Sequence, residues 1–263
     1  MIFLLYLALG VVAGLLAGLF GVGGGLIIVP VLVYSFTLQG LAPEIMTHLA
    51  VGTSLATIVF TSLNSIAGHH RRQAVCWRLV GWMSPGIVLG CALGALTASQ
   101  LQGGALQIII GLFAIAMAFQ IAFDLRPGGR TGDYRPHPRP LLLSGGAVIG
   151  WASSIFGIGG GSLTVPFLLW RHLPAARAVG TSAACGLPIA LAGALSFIWF
   201  GQGQRDLPPW SLGYVYLPGV LGIALTSVFS ARLGVRLAHR LSPTHLKRLF
   251  AALLLVIGTS FLL

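Results

Sequence analysis

Phe20-Gly-Val-Gly-Gly-Gly-Leu-Ile-Ile-Val-Pro-Val-Leu32 returns later in the chain as Phe156-Gly-Ile-Gly-Gly-Gly-Ser-Leu-Thr-Val-Pro-Phe-Leu168. Each copy interrupts a charge-free apolar stretch, 2–36 in the first case and 141–170 in the second. Both stretches exceed the roughly 20 residues that one helical crossing of a bilayer needs. The pairing continues outward from there. Val51-Gly52-Thr53-Ser54 is echoed by Val179-Gly180-Thr181-Ser182, and Pro85-Gly86 by Pro218-Gly219, each of the last two read as opening a later helix. The chain therefore reads as two homologous halves, 1–124 and 141–263, joined by a polar, turn-rich linker at 125–140.

Of the 263 residues, 56% are hydrophobic and 7% charged, and the mean hydropathy is +0.94. A water-soluble domain carries about a quarter of its residues as charges, so lipid must face most of this surface. Further apolar stretches run over 46–68, 79–98, 105–123, 178–200, 210–231 and 246–263. With the two glycine-broken stretches they make eight main hydrophobic segments. They predict an all-α polytopic membrane protein of roughly eight to ten spans, the first and fifth segments broken or re-entrant. Trp77, Trp82, Trp170, Trp199, Trp210 and Tyr214 stand near segment ends, where interfacial anchors belong. The start, Met1-Ile2-Phe3-Leu4-Leu5, has no basic flank of the kind a cleaved signal carries, so it reads as a retained first helix.

The chain holds 15 Lys+Arg against 4 Asp+Glu. The basic residues lie in short connectors between apolar runs, without a polar groove-facing element, which excludes a nucleic-acid binder and suggests cytoplasmic loops. If each broken stretch crosses once, the basic residues divide almost evenly between the two faces. If each glycine break turns the chain back, Arg205 alone falls on one face and the other basic residues share the opposite one. The positive-inside bias selects the second arrangement. It predicts an inverted repeat with both termini outside and the linker in the cytoplasm of a bacterial-type inner membrane.

A helix broken at membrane depth exposes backbone N–H and C=O groups that must face protein or a wet cavity. In inverted-repeat transporters such breaks supply the binding site. Gly21, Gly23, Gly24 and Gly25, and likewise Gly157, Gly159, Gly160 and Gly161, allow close approach to the backbone. The short helix after each cluster would aim its free N–H groups and positive dipole end at the break, where an anion is the natural guest. Ser162 and Thr164 add hydroxyls in the second copy. The alternative is that these glycines only permit tight helix packing. Thr53, Ser54, Thr181 and Ser182 either reach the same anion or bond back to the preceding helical turn. His69, His70, Arg71 and Arg72 close one segment and form either a topology anchor or a vestibule that gathers anions.

On the paired glycine motifs, the two VGTS segments, the His69-His-Arg-Arg72 connector and the closing run Leu246-Lys-Arg-Leu-Phe250, the chain resembles the TauE/SafE family of sulfite and organosulfonate exporters over essentially its whole length. The resemblance implies a secondary transporter of a small sulfur-containing anion such as sulfite, sulfoacetate or thiosulfate. It carries substrate contact onto the two glycine motifs and the Thr-Ser pairs. Cys76, Cys91 and Cys185 form no matched pair between the halves and show no metal-ligand spacing, so they read as packing residues. Glu44, Asp124, Asp133 and Asp206 all sit in connectors or at segment ends. No HExxH, GxSxG or paired intramembrane carboxylate is present, so neither an enzyme nor a metal or other cofactor is expected. An anion channel built on the same helix ends is the main rival. The expected partners are a small anion and membrane lipid; the sequence does not set an oligomeric state.

Overall fold

The computed structural model describes residues 2–20, 24–123, 138–204, 206–238 and 243–263. Gly21, Gly23, Arg205 and most of the 125–140 linker lie outside the described residues. In chain order the helices are α1 (Ile2–Phe20), α2 (Gly25–Leu38), α3 (Pro43–Arg71), α4 (Trp77–Gln100), α5 (Gly103–Ala122), α6 (Arg139–Phe156), α7 (Gly161–Trp170), α8 (Ala175–Phe200), α9 (Leu217–Ala238) and α10 (Pro243–Ser260). A small antiparallel hairpin, β1 (Ser211–Leu212) with β2 (Val215–Tyr216), precedes α9. The protein is an all-α polytopic membrane protein. Among the described residues α3, α4, α5 and α8 are long and apolar enough to cross a bilayer, and shorter apolar helices surround them. Large apolar side chains such as Leu89, Val148, Leu195 and Phe229 point outward, as a lipid-facing surface requires.

Both long apolar stretches break at their glycines. Gly157 takes the left-handed conformation (φ 63°, ψ 31°) that caps α6, and the Ile158 N–H turns back 3.0 Å onto the Ser153 carbonyl. Gly24 opens α2 at φ 76°, and its carbonyl accepts the N–H groups of Ile27 and Ile28. Pro30 and Pro166 lie at matching places in α2 and α7, each removing one backbone donor. The chain then returns to the side it came from. Gln39, just past α2, donates a 2.6 Å hydrogen bond to the Tyr6 hydroxyl near the start of α1. In the second half, Gly145 early in α6 packs on the ring of Phe167 late in α7. At 10 residues, α7 rises only about 15 Å, half a bilayer core.

Equivalent helices of the two halves run in opposite directions. Along α3 and α8, Gly52 meets Phe197, Leu55 meets Gly193 and Ser62 meets Gly186. Along α5 and α10, Gly111 meets Phe261 and Ile115 meets Gly258. That antiparallel pairing is the relation an inverted repeat requires. Each half's first helix instead packs parallel to the other half's fourth. Gly86, Gly90 and Gly94 of α4 lie against the backbone of Leu143, Ala147 and Trp151 in α6, and Gly10 and Gly14 of α1 lie against Ile223 and Ser227 in α9. No Cβ fits at these glycines, so small residues here set the helix separation.

The packing register shifts one sequence echo. Gly10 meets Ile223 as Gly146 meets Met83, and Gly14 meets Ser227 as Gly150 meets Ile87, so Thr226 rather than Gly219 takes the place of Gly86. Pro218 does open α9, but Pro85 lies well inside α4, which already begins at Trp77. The short connector after α3 lets α4 start earlier than the sequence echo suggested.

The two ends of the bundle differ in charge. Glu44 and Asp206 lie at the end that holds the α2–α3 turn, the α4–α5 turn and the β-hairpin. Arg71, Arg72, Arg78, Arg139, Arg171, Arg177 and Arg248 lie at the other end. There the Arg139 guanidinium stands 4.4 Å over the Trp82 ring.

Candidate functional site

The two glycine breaks meet. A Cβ on Gly25 would stand 2.7 Å from both the Gly157 carbonyl oxygen and the Ile158 Cα. Glycine is therefore required for the start of α2 to lie on the backbone of the second break. Gly25 also faces Ile58 near the middle of α3, and Gly160 lies beside Gly186 near the middle of α8. Both short helices thus begin close to half-depth in the bundle, where the first N–H groups of a helix have no carbonyl a full turn back to bond; in α2 the Ile27 N–H turns onto the Gly24 carbonyl instead. Their positive ends converge on one region.

Among the described residues, hydroxyl groups gather at the second break. Ser162, Thr164 and Ser182 are buried, and among the described residues none of their oxygens has a hydrogen-bond partner. Ser153, in the last turn of α6, is in the same condition. The Thr164 hydroxyl lies 3.1 Å and the Ser182 carbonyl 3.0 Å from where a Cβ on Gly160 would stand, so both border the opening of α7. A buried hydroxyl without a partner is costly, about 1–3 kcal/mol, and several around one helix start mark a place built for a polar guest. The matching positions in the first half are Leu26 and Ile28, both buried and apolar.

The VGTS segments do something the sequence did not suggest. The Thr53 hydroxyl accepts the backbone N–H of Tyr216 at 3.0 Å, and the Thr181 hydroxyl accepts that of Cys76, also at 3.0 Å. One residue earlier, Gly52 lies against the Tyr214 carbonyl and Gly180 against the Ala74 carbonyl. Each Gly-Thr pair clasps the chain as it enters the other half's fourth helix: glycine makes room for a carbonyl and threonine catches the next free N–H. Thr53 and Thr181 lie near opposite ends of the antiparallel α3–α8 pair, about 20 Å apart along it. They do not converge on one guest. Both threonines serve as acceptors in two symmetry-related clasps, because an unpaired N–H entering a buried helix needs an acceptor.

The serines of the same segments divide. Ser54 donates a 2.8 Å hydrogen bond to the Gly157 carbonyl, tying α3 to the second break. Its counterpart Ser182 is buried with a free hydroxyl. The structure thus brings together Gly24, Gly25, Ser54, Gly157, Gly159, Gly160, Gly161, Ser162, Thr164 and Ser182. Gly21 and Gly23 lie outside the described residues.

His69, His70, Arg71 and Arg72 close α3 at the basic end, distant from the breaks; His70, Arg71 and Arg72 are exposed. His70 accepts the Trp77 indole N–H at 3.2 Å, which braces this corner. Cys91 and Cys185 are fully buried, and the Cys91 thiol faces the Gly150 carbonyl at 3.3 Å. His48, which the charge count passes over, is buried one turn inside α3. Its Nε2 lies 2.8 Å from the Ala98 carbonyl, and its ring stacks on Tyr214 with centroids 5.1 Å apart. It joins α3, the end of α4 and the hairpin at the end away from the basic residues. A groove of about 300 Å³ between α3, α8 and α9 is walled by residues such as Val59, Phe60, Leu191, Leu195 and Leu221 and offers an anion no partner.

A broken, re-entrant helix pair with converging N-termini inside an apolar bundle is transporter architecture, and the comparisons agree. A family model described as sulfite exporter TauE/SafE matches residues 6–261. A Haemophilus influenzae protein named "Probable membrane transporter protein" is 38% identical over 260 residues, spanning 99% of this chain and 98% of its own length. A probable membrane transporter of Methanocaldococcus jannaschii is 29% identical, spanning 98% of this chain and 95% of its own. The Bacillus subtilis protein YunE, also a probable membrane transporter, is 26% identical, with 98% and 96% covered. No solved structure matches. The chain is an integral membrane transporter and belongs to the TauE/SafE sulfite exporter family.

Proposed function

We propose that this transporter is a carrier rather than an enzyme, moving a small sulfur-containing anion (sulfite, an organosulfonate or thiosulfate) across the bacterial inner membrane. The observation that carries the reading is the contact of Gly25 with Gly157 and Ile158, which sets two helix N-termini facing one region near half-depth. Peptide dipoles and free N–H groups stabilise negative charge there without a cationic side chain. The family's description as sulfite exporters supports sulfur oxyanions as the cargo.

Alternating access follows from rocking of one half against the other about the α3–α8 pair. The basic end faces the cytoplasm under the positive-inside bias, which leaves both termini outside and the linker inside. Arg71 and Arg72 then stand at the cytoplasmic mouth, where exposed positive charge raises the local anion concentration. The described carboxylates, Glu44 and Asp206, lie at the other end, so any coupled proton travels on the substrate itself.

The test is flux of sulfite, thiosulfate, sulfoacetate and sulfate into liposomes holding the purified protein. The carrier reading expects saturable uptake of at least one sulfur anion, with acceleration by the same anion on the far side. Unitary currents would replace the carrier with a channel, and absence of flux for every sulfur anion would remove the substrate class.

A further inference from the structure

The two breaks are related by symmetry but are not equal in chemistry. We infer that the anion has a single seat, in the second repeat alone, made of the first-turn N–H groups of α7 and the hydroxyls of Ser162, Thr164 and Ser182. This rests on the anion-carrier reading and adds where, and how many times, the anion binds.

Three pairs of matching positions carry the asymmetry. Ser162 and Thr164 stand where the first repeat has Leu26 and Ile28, so only α7 opens among hydroxyls. Ser182 has a free hydroxyl where the Ser54 hydroxyl already donates its hydrogen bond to the Gly157 carbonyl. The start of α2 is closed, since Gly25 presses on the Gly157 and Ile158 backbone and on the Ile58 side chain. An anion at the start of α2 would meet apolar side chains and displace the Gly157–Ile158 backbone. One at the start of α7 meets donors that lack partners.

The guest is an oxyanion small enough to be held inside the bundle, with several oxygens to accept bonds at once. A sulfite or sulfonate group has that shape and needs only donors. The unpartnered hydroxyls and the N–H groups of the first turn of α7 offer several donors to the oxygens of a pyramidal or tetrahedral head.

The experiment is equilibrium binding of sulfite, and separately of methanesulfonate, to the purified full-length protein in detergent. Liposome flux is measured in parallel. One anion per chain is expected. Thr164→Val and Ser182→Ala should each weaken binding about tenfold or more, the loss expected for one hydrogen bond to a charged group. Thr164→Ser, which keeps the hydroxyl and drops the methyl, should restore most of it, so a packing defect is told apart from a lost contact. Two anions per chain would overturn the single seat. So would wild-type affinity in both Thr164→Val and Ser182→Ala, even with sulfite flux intact; that result would leave the carrier reading standing. If wild-type protein neither binds nor moves any sulfur anion, the carrier reading fails and the seat fails with it.

Discussion

The Ser54 hydroxyl reaches from the middle of α3 to the carbonyl oxygen of Gly157 at 2.8 Å, bonding one half of the protein to the break of the other. Its repeat counterpart, Ser182, is equally buried and holds its hydroxyl free. Two residues with the same place in a duplicated sequence have therefore parted in role, one structural and one available to a guest.

That difference separates the two alanine variants. Ser54→Ala leaves a buried carbonyl unpaired and should cost about 1–3 kcal/mol of stability. Ser182→Ala removes a hydroxyl with no protein partner and should be close to neutral in stability. Thermal unfolding of the two purified variants measures the contrast directly. Equal losses would mean that Ser182 has a structural bond after all.

Thr53→Val and Thr181→Val keep shape and remove the acceptor for the Tyr216 and Cys76 N–H groups. Both should destabilise the protein by similar amounts, about 1–3 kcal/mol for the orphaned donor. Apparent substrate affinity should stay near wild type. A selective rise in KM with unchanged stability would return these threonines to the substrate site.

Gly25→Ala drives a methyl group into Gly157 and Ile158 and should abolish flux while the protein still inserts. Gly157→Ala forces alanine into a left-handed conformation, a cost of about 1–2 kcal/mol before any clash. Gly81→Ala and Gly104→Ala, where a Cβ meets nothing within 4 Å, serve as tolerated controls. Membrane yield and liposome uptake, measured together, separate insertion from transport.

Orientation has its own test in cysteine labelling. A single reactive cysteine at Arg72 should be blocked only by a reagent that enters the cytoplasm, and one at Asp206 by an impermeant reagent added outside. Background thiols are first removed at Cys76, Cys91 and Cys185. The reverse pattern would place the basic end outside and both termini in the cytoplasm.

The sequence revealed the duplication and the places where helices break, because glycine clusters inside apolar runs leave little else for the backbone to do. Charge asymmetry alone favoured a chain that turns back at each break, and the Tyr6–Gln39 bond is that return seen in geometry. The clasps were not legible. Thr53 and Tyr216 are 163 residues apart, and nothing in VGTS names an N–H so distant as its partner. The α1–α9 register was hidden for another reason: Thr226 and Ser230 fill places that Gly86 and Gly90 hold in α4, so small size is kept while identity is lost. His48 escaped notice because a count of Lys, Arg, Asp and Glu passes over a histidine near the edge of an apolar run.

The most direct test of the paired-break site is an anomalous-scattering map from crystals of the protein soaked in selenite, the heavier analogue of sulfite. The predicted result is a peak at the start of α7, within hydrogen-bonding reach of Ser162 and Thr164. A peak only at the exposed Arg71–Arg72 corner, with none beside either break, would contradict it.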